Sequence, residues 1–567
     1  GIVGQFFNQF ALTVVFSTLF SLWGAFTVTP MAAARLGGSV HVSPFAKKVT
    51  AWWYWIYREL EVFQEVYVGK AMRHPWVTIG FFGLLFAGSL LLIPRVGFEL
   101  FPRVDEGVIR INLELSSTAS LEATDEQVRK VEAFLREQPY VKSMSSTVGG
   151  RRLSSVNSGV LRVYLVDADG RKSAFAIASD LRKKFAGLPD TNVTVNVASG
   201  QGGGSRKPVQ ITISGPDLDV LNGIAGELME KIRDVPGLAD LDTDWKVGRF
   251  DLNLIPEDLK LTSMGVTLSD VSDELRGYLS GIKAGVYREQ GYEYDILVKL
   301  ASRWVDSPEA VPLLPMWTPH GFVPVNELAA VAYEPSPTAI YRLDRQRKIS
   351  VQADVAGRTV GEVFRDITPR MDDIQLPTGY RFIIGGEIQN IQENFRRMVI
   401  AFVMAVVLTF LMIAGILESY LFSLAIMLTI PLSVIGVIPT LLLTGTSLSM
   451  YGLLGLVMIV GLVVNNAIVI VDYAEVVRKK GHEASGAMIE ACRVRFRPIV
   501  MADVTTLIAM IPLALGLGEG GQYRAPLAIV LIGGLLAGGT MALFLIPPVY
   551  KVIWDIKNRF QGRDENA

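Results

Sequence analysis

The chain has 567 residues, of which 50% are hydrophobic and 19% are charged, and its formal net charge is −1. A charge so close to zero gives no electrostatic reason to expect nucleic-acid binding. The single cysteine, Cys492, excludes an intrachain disulfide and a cysteine zinc cluster, and the four histidines lack metal-ligand spacing. The charged fraction lies below the roughly 25% of soluble domains, and mean hydropathy is +0.36, so the composition predicts membrane segments combined with a soluble part.

Seven apolar runs approach or reach the roughly 20 residues that a membrane-spanning helix needs. The sequence therefore predicts a helical membrane bundle. The runs are Ala11–Val28, Trp76–Ile93, Met398–Leu417, Leu421–Leu443, Tyr451–Val471, Ile499–Leu517 and Leu527–Pro547.

The distribution of Lys and Arg predicts which ends of these helices are cytoplasmic. Basic residues concentrate in 30–75, in 474–498 and after residue 550, whereas Arg396 and Arg397 run against the rule. Seven spans then place the N-terminus outside, although the first residues have neither a basic n-region nor a cleavage site. We therefore expect the chain to be part of a longer protein with earlier spans. The Trp- and Tyr-rich stretch AWWYWIYRELEVFQEVY within 30–75 is predicted to lie along the inner membrane face.

Between the second and third spans, a strand–helix–strand order recurs four times. Paired units of this kind form ferredoxin-like sandwiches, so we expect two such subdomains, the second interrupted by an insertion. The fold class is thus a membrane α-helical bundle with a large α+β insertion outside the cytoplasm. The units are Val108–Leu115, Leu121–Glu137 and Val141–Val148; Gly159–Val166, Ala174–Phe185 and Asn192–Val197; Val209–Ser214, Leu218–Asp234 and Ala239–Thr243; and Lys348–Ala353, Val360–Met371 and Tyr380–Gly385.

Two adjacent amides, Asn465 and Asn466, stand inside the fifth apolar run. A bilayer cannot hydrogen-bond them, so they indicate a helix interface or a polar pathway. Both interpretations stay open. Asp472, two turns after Asn465, is predicted to share its helix face near the cytoplasmic edge.

Asp503 is the sharper candidate, because an intramembrane carboxylate is a functional hypothesis by default. Pro498 suits the first turn of the next helix, which would put Asp503 about 7.5 Å inside it. The alternative is an interfacial Asp paired with Arg495 or Arg497.

Two polar loops have simpler interpretations. The stretch GQGGGSRKP (200–208) lacks the GxxxxGK[ST] spacing of a phosphate loop and is predicted to be a flexible connector. The stretch TVGGRRLSSVNSG (147–159) is either a solvated loop or a mobile gate.

GLVVNNAIVIVDYA, RVRFRPIVMADVTT and FELFPRVDEG, each in its place along the chain, resemble the resistance-nodulation-division (RND) efflux transporters, and among them the hydrophobe/amphiphile efflux branch. The resemblance covers the C-terminal half of such a transporter. It implies membrane helices like the sixth (1–30), seventh (76–97) and eighth to twelfth (389–550), with a cytoplasmic-face segment at 31–75 and a cytoplasmic tail at 551–567. It also implies that the large α+β insertion is periplasmic, with porter subdomains at 98–206 and at 207–245 with 340–388, and a docking subdomain at 246–339.

In that family an Asp pair in the fourth span binds the transported protons, and Lys, Arg and Thr in the second half couple to it. By the resemblance, the family's Lys corresponds to Asn465 in this chain, its Arg to Arg495 and its Thr to Ala502. The resemblance therefore implies a neutral partner for an Asp pair in the other half, with Asp503 as an added titratable group. The implied proton-relay residues are Asn465, Asn466, Arg495, Asp503, Thr505 and Thr506.

The loop that begins at Gly149 resembles the family's substrate gate. The implied gate residues are Gly149, Gly150, Arg151 and Arg152, with Ser145 as the implied pocket residue. Where multidrug members carry Phe, this chain has Ser145, Gly150 and Arg152, and the two arginines would suit an anionic amphiphile. Comparable stretches lack the Met ligands of the heavy-metal branch, with Met144 the only one nearby.

The resemblance implies proton-driven efflux of hydrophobic or amphiphilic small molecules from the bacterial inner membrane, without enzymatic activity and without a cofactor beyond the proton gradient. The implied partners are the N-terminal half with the Asp pair, two further copies in a homotrimer, a periplasmic adaptor and an outer-membrane channel. The alternatives are a non-transporting membrane scaffold, and lipid or protein export by a distant relative.

Overall fold

The computed structural model describes residues 2–36, 44–102, 104–116, 119–149, 156–198, 207–305, 307–337, 339–518 and 520–564. Three helices open the chain: α1 (Ile2–Leu36), α2 (Pro44–Arg73) and α3 (Pro75–Leu92). The apolar window of α1 has no buried residue, so the rest of this chain does not cover the side chains of that window.

The first sheet domain consists of β1 (Val108–Leu115), α4 (Leu121–Arg136), β2 (Val141–Val148), β3 (Ser158–Leu165), α5 (Ala174–Phe185) and β4 (Thr191–Val197). Its strands are antiparallel in the order β2-β3-β1-β4. Alternation along β1 turns Ile109, Ile111 and Leu113 into the core beneath the helices. Arg110 and Asn112 consequently lie on the opposite, polar face.

The second sheet domain begins with β5 (Val209–Gly215), α6 (Leu218–Ile232) and β6 (Leu238–Thr243). An insertion follows, with β7 (Val247–Pro256), α7 (Asp258–Met264), α8 (Leu268–Leu279), β8 (Ile282–Glu289), β9 (Tyr292–Val298), β10 (Pro315–Thr318), β11 (Gly321–Pro324), α9 (Val325–Leu328) and β12 (Ala329–Pro337). Strands β7 and β12 pair with each other, so the insertion leaves and rejoins the sheet domain through one antiparallel ribbon.

The chain then completes the second sheet with β13 (Tyr341–Leu343), β14 (Gln346–Val355), α10 (Val360–Asp372) and β15 (Arg381–Gly385). The order is β13-β14-β5-β15, and β6 also pairs with β14. The recurring strand–helix–strand units predicted from the sequence are thus confirmed to within a few residues. Strand β13 was not predicted.

The remaining helices form the membrane bundle: α11 (Gly386–Leu417), α12 (Tyr420–Met427), α13 (Thr429–Thr444), α14 (Met450–Lys479), α15 (Ala484–Ala514) and α16 (Gly521–Asp564). In the described part of the chain, seven helical segments are long and apolar enough to cross a membrane, as predicted.

Helix boundaries differ from the prediction at several places. Helix α1 runs on to Leu36, past the expected boundary at 30/31. Helix α15 passes through Pro498 instead of beginning there, which puts Asp503 about 28 Å from its first residue. Helix α16 passes through Pro547 and Pro548, and α11 already begins at Gly386, so the expected boundaries at 550/551 and 388/389 fall inside helices. Proline is tolerated here because neighbouring helices and local adjustments satisfy the freed backbone groups.

Candidate functional site

A buried polar contact of the bundle joins Asn466 of α14 to Asp503 of α15. Both residues are buried, with 6% and 8% of their surface exposed. The Asn466 Nδ2 group donates to Asp503 Oδ1 at 2.8 Å. The alternative of an interfacial Asp503 paired with Arg495 or Arg497 is therefore not observed, because the partner of its carboxylate is an amide from the neighbouring helix.

A glycine on a third helix completes this site. A Cβ on Gly539 of α16 would collide with Oδ2 of Asp503 and lie 3.3 Å from Nδ2 of Asn466. Only glycine lets the α16 backbone approach the carboxylate so closely. Gly539 is not among the residues predicted from the sequence, although the paired glycines in IGGLLAGG (532–539) are a usable signal.

The two adjacent asparagines point in different directions. Asn466 is buried between helices, whereas Asn465 is exposed on the outer face of α14, as is Asp472. The shared face predicted for Asn465 and Asp472 agrees with this exposure. Asn465 thus presents its amide to surroundings outside the chain, while the amide of Asn466 is engaged within it.

Arg495, expected in the proton relay, lies away from Asp503. It precedes Asp503 by eight residues, about 12 Å along the same helix. Its guanidinium stacks on the Tyr473 ring, 4.7 Å from the centroid, and its buried Nε has no hydrogen-bond partner among the described atoms. The structure therefore does not bring Arg495 to the carboxylate.

Thr505 and Thr506 also do not reach the Asn466–Asp503 contact in the described structure. Their hydroxyls donate to carbonyls of their own helix, to Met501 at 2.7 Å and to Ala502 at 2.9 Å. Such back-bonding satisfies a hydroxyl in a membrane helix without a partner from another helix.

The predicted gate is described only in part. Gly149 follows directly after β2 with φ +66°, and its N–H donates to the Ser158 carbonyl at 2.9 Å. Ser145 is exposed on β2, opposite Arg162 of β3. Gly150, Arg151 and Arg152 lie outside the described residues.

A cleft of about 2180 Å³ lies between the two sheet domains and reaches down to the ends of the membrane helices. One wall is the polar face of β1 and β4, and the other is the polar face of β5 and β14. The wall residues include Arg110, Asn112, Thr194, Asn196, Gln210, Thr212, Lys348 and Gln352, and the floor includes Thr446, Ala525 and Pro526. Ser145 is not among the described lining residues, so the predicted pocket residue lies elsewhere.

Ion pairs join the two sheet domains beside the cleft. Arg182 of α5 donates through Nε to both carboxylate oxygens of Asp240 in β6 at 3.1 Å. Lys246 lies between Asp242, at 2.9 Å, and Glu114 of β1, at 3.5 Å. Burial disfavours the charged ammonium, but the hydrogen bonds and negative charges of Asp242 and Glu114 outweigh it and raise the pKa of Lys246.

The first sheet domain contains a further buried ion pair at its entrance. Asp105 accepts from Arg171 at 2.7 and 2.8 Å and from the N–H of Ala174 at 2.6 Å, at the start of α5. Burial disfavours the carboxylate, but these bonds and that from the Gly107 N–H outweigh it and hold the pKa of Asp105 below its usual range. No pattern in the sequence indicates this pair.

No group of three or more His, Cys, Asp or Glu side chains is arranged to hold a metal ion in the described ranges. The site therefore consists of one buried amide–carboxylate contact in the bundle and one large polar cleft between the sheet domains.

Comparisons with known proteins agree with this architecture. The family model described as the AcrB/AcrD/AcrF family matches residues 1–554. Two crystal structures of a heavy metal efflux pump, crystal forms I and II, superpose with a TM-score of 0.77 at 21% sequence identity. Each match covers 88% of this chain and 52% of the solved chain, so the chain spans about half the length of these relatives. The chain belongs to the AcrB/AcrD/AcrF family of RND efflux transporters.

Proposed function

We propose that the chain is the C-terminal half of a proton-driven efflux transporter of the bacterial inner membrane, in which Asp503 takes up and releases a proton. The observation that carries this proposal is the buried Asn466–Asp503 contact inside a bundle of membrane-length helices. A carboxylate at such a position is costly, and in membrane proteins such residues mark proton or substrate pathways.

The geometry gives Asn466 and Asp503 different roles. Asp503 is the titratable member, while the neutral amide of Asn466 can donate to the carboxylate in its ionised form and to its carbonyl oxygen in the protonated form. Asn465, on the outer face of α14, is the proposed contact for the Asp pair of the N-terminal half. We assign no proton-binding role to Arg495, Thr505 and Thr506, whose described contacts are with groups other than the Asp503 carboxylate.

The two sheet domains are the proposed porter subdomains. The order β2-β3-β1-β4, reached through two strand–helix–strand units, supports a ferredoxin-like assignment for the first. The segment between β6 and β13 is the proposed docking subdomain. Export through such domains would proceed by opening and closing the cleft between them, with the loop after Gly149 as the gate.

The lining of the cleft fits an amphiphilic substrate, because apolar residues such as Phe101, Phe175 and Leu343 lie among its polar ones. Its described residues include many amides and hydroxyls, but no Met, Cys or His. Soft and borderline metal ions prefer thiolate, thioether and imidazole ligands. The two solved structures are of a heavy metal efflux pump, but 21% identity carries only the fold to this chain.

The remaining partners follow from the same family. We propose a homotrimer that works with a periplasmic adaptor and an outer-membrane channel. The apolar side chains of α1, none of them buried in its membrane-length window, would pack against helices of the N-terminal half.

The test compares Asp503→Asn with Asp472→Asn in the complete transporter, reconstituted in vesicles with a proton gradient. Asp472 is a matched control because it is exposed near the end of α14. We expect Asp503→Asn to abolish gradient-driven export of an amphiphilic dye and Asp472→Asn to retain it. Undiminished export by Asp503→Asn from acidic to neutral pH would falsify the proton-carrying role.

Substrate class is tested in the same vesicles by comparing an anionic dye, a neutral dye, Cu⁺ and Zn²⁺. Dye export without metal export is expected. Export of metal alone would refute the amphiphile assignment, and export of neither would favour the scaffold. The double variant Arg151→Ala/Arg152→Ala should weaken export of the anionic dye more than that of the neutral one; an equal effect on both would refute a role in anion selection.

A further inference from the structure

A hydrogen bond connects the membrane bundle to the first sheet domain across 417 positions of sequence. Tyr523, the third residue of α16, donates from its hydroxyl to Glu106 Oε1 at 2.5 Å. The Tyr523 residue is only 6% exposed. Glu106 lies in the short segment that enters β1.

That segment is firmly attached to the sheet domain. The neighbouring Asp105 carboxylate is held by Arg171, whose side chain is 3% exposed, and by the first N–H of α5. Gly107, on the other side, accepts at its carbonyl from the N–H of Leu165 in β3 at 2.7 Å. A displacement of Glu106 therefore also displaces the entrance of β1 and the start of α5.

The same helix α16 contacts the buried carboxylate of the bundle. Gly539 faces Asp503 so closely that any side chain would collide with it. Tyr523 and Gly539 are 16 residues apart, about 24 Å along a continuous helix. One helix thus contacts Asp503 at one point and the first sheet domain at another.

The part of α16 around Gly533 and Gly538 packs closely against α13 and α14. The backbones of Gly533 and Gly436 meet so closely that neither position has room for a side chain, and a Cβ on Gly538 would lie 2.7 Å from Val463. These contacts, with that of Leu527 against Gly455 nearer the start of the helix, leave little space for bending, so a shift of α16 at Asp503 would be passed along the helix.

We propose that Tyr523 is a positioning residue that couples Asp503 to the first sheet domain through α16 and Glu106. The proposal deepens the proposed function, on which it rests. Neutralising Asp503 alters the contacts among Asn466, Asp503 and the Gly539 backbone, and thereby the preferred position of α16. The Tyr523–Glu106 bond carries that change to β1. Spatial proximity alone does not establish coupling, so a test must measure it as non-additivity.

The first experiment measures the coupling between Asp503 and β1 without measuring transport. Hydrogen exchange is measured for amides of 104–115 in the complete transporter in nanodiscs, with and without Asp503→Asn, in the native and Tyr523→Phe backgrounds. Phenylalanine retains the buried ring and removes the hydroxyl. We expect Asp503→Asn to change exchange in 104–115 about fivefold in the native background and to have little effect in Tyr523→Phe.

The control is Tyr550→Phe, which removes a buried hydroxyl on the same helix that donates to Glu475 of α14 at 2.5 Å. This control should leave the response to Asp503→Asn intact. An identical response with and without the Tyr523 hydroxyl, or no response in the native background, would overturn the proposal.

The second experiment separates the proposal from the proposed function. In vesicles, Tyr523→Phe and Glu106→Ala should lower the maximal export rate about fivefold with KM unchanged, and Glu106→Gln, which keeps an acceptor oxygen, should stay near the native rate. Native rates in Glu106→Ala would contradict the coupling. If the native transporter exports nothing, the proposed function fails, while the exchange experiment still decides whether Asp503 and β1 are coupled.

Discussion

Asn466 and Asp503 join two neighbouring membrane helices through one 2.8 Å hydrogen bond, and the backbone of Gly539 closes the third side. The arrangement leaves one carboxylate oxygen of Asp503 bonded to an amide and the other packed against a glycine. A proton on Asp503 therefore changes the contacts of two helices at once, which is the property that a coupling site requires.

The two asparagines give a test with a built-in control. Asn466→Ala should lower the stability of the bundle by about 1–2 kcal/mol, because Asp503 loses its buried donor. Asn465→Ala, one position earlier but exposed, should leave the stability of this chain unchanged. Unfolding in mixed detergent, followed by circular dichroism, measures both. Equal losses in the two variants would contradict the assigned difference in burial.

Gly539→Ala should disrupt the site by steric means. The added methyl group collides with the Asp503 carboxylate, and overpacking of this kind costs about 1–3 kcal/mol. The control is Gly461→Ala on α14, where nothing lies within 4 Å of the added atom. Thermal unfolding and gradient-driven export should both decline for Gly539→Ala only. A stable, active Gly539→Ala protein would show that the helices are less closely packed there.

Asp105→Asn should change how the first sheet domain responds to acid. The pKa of Asp105 is lowered in the folded state, so its ionised form stabilises the domain above the unfolded-state pKa, and this contribution is lost as pH falls through the folded-state value. At neutral pH the variant should be less stable by about 2 kcal/mol.

Hydrogen exchange of β1 and α5 amides as a function of pH measures this effect. The difference between native protein and Asp105→Asn should vanish at acidic pH. The control is Asp180→Asn on α5, whose side chain is 64% exposed, and it should follow the native curve throughout. A difference that persists below the folded-state pKa would argue against the ion pair as its cause.

Asp240→Asn tests the bridge between the two sheet domains. Asp240 has φ +49°, a backbone conformation that asparagine also tolerates, so the change removes charge with little strain. We expect a loss of about 1–2 kcal/mol and a broader distribution of distances across the cleft between spin labels on the two domains. Asp273→Asn removes an exposed ion pair with Arg276 in the insertion and should change neither quantity.

Periodicity explains why so much of the fold was predictable. The membrane helices follow from uninterrupted apolar length, and the strands and helices of the sheet domains follow from patterns of two and 3.6 residues. Helix α5 was predicted at its observed bounds, because the inward residues Ile177, Leu181 and Phe185 recur on one helix face.

Contacts between distant segments were not predictable in the same way. Asn466 and Asp503 are 37 positions apart, and Tyr523 and Glu106 are 417 apart. Neither pairing produces a periodic pattern in the sequence, because a single hydrogen bond between distant residues depends on how whole helices pack. Pro498 predicts a helix start by a rule from soluble proteins, but in α15 it lies inside the helix.

The floor of the cleft has a consequence for how affinity should be expressed. The cleft ends at residues such as Ala525 and Pro526, at the start of a membrane-length helix. For an amphiphile that enters there, the concentration that determines occupancy of the cleft is its mole fraction in the lipid, which its partition coefficient sets. Among compounds that fit equally well, apparent potency measured against aqueous concentration would then rise with lipophilicity, without any difference in the contacts that the protein makes.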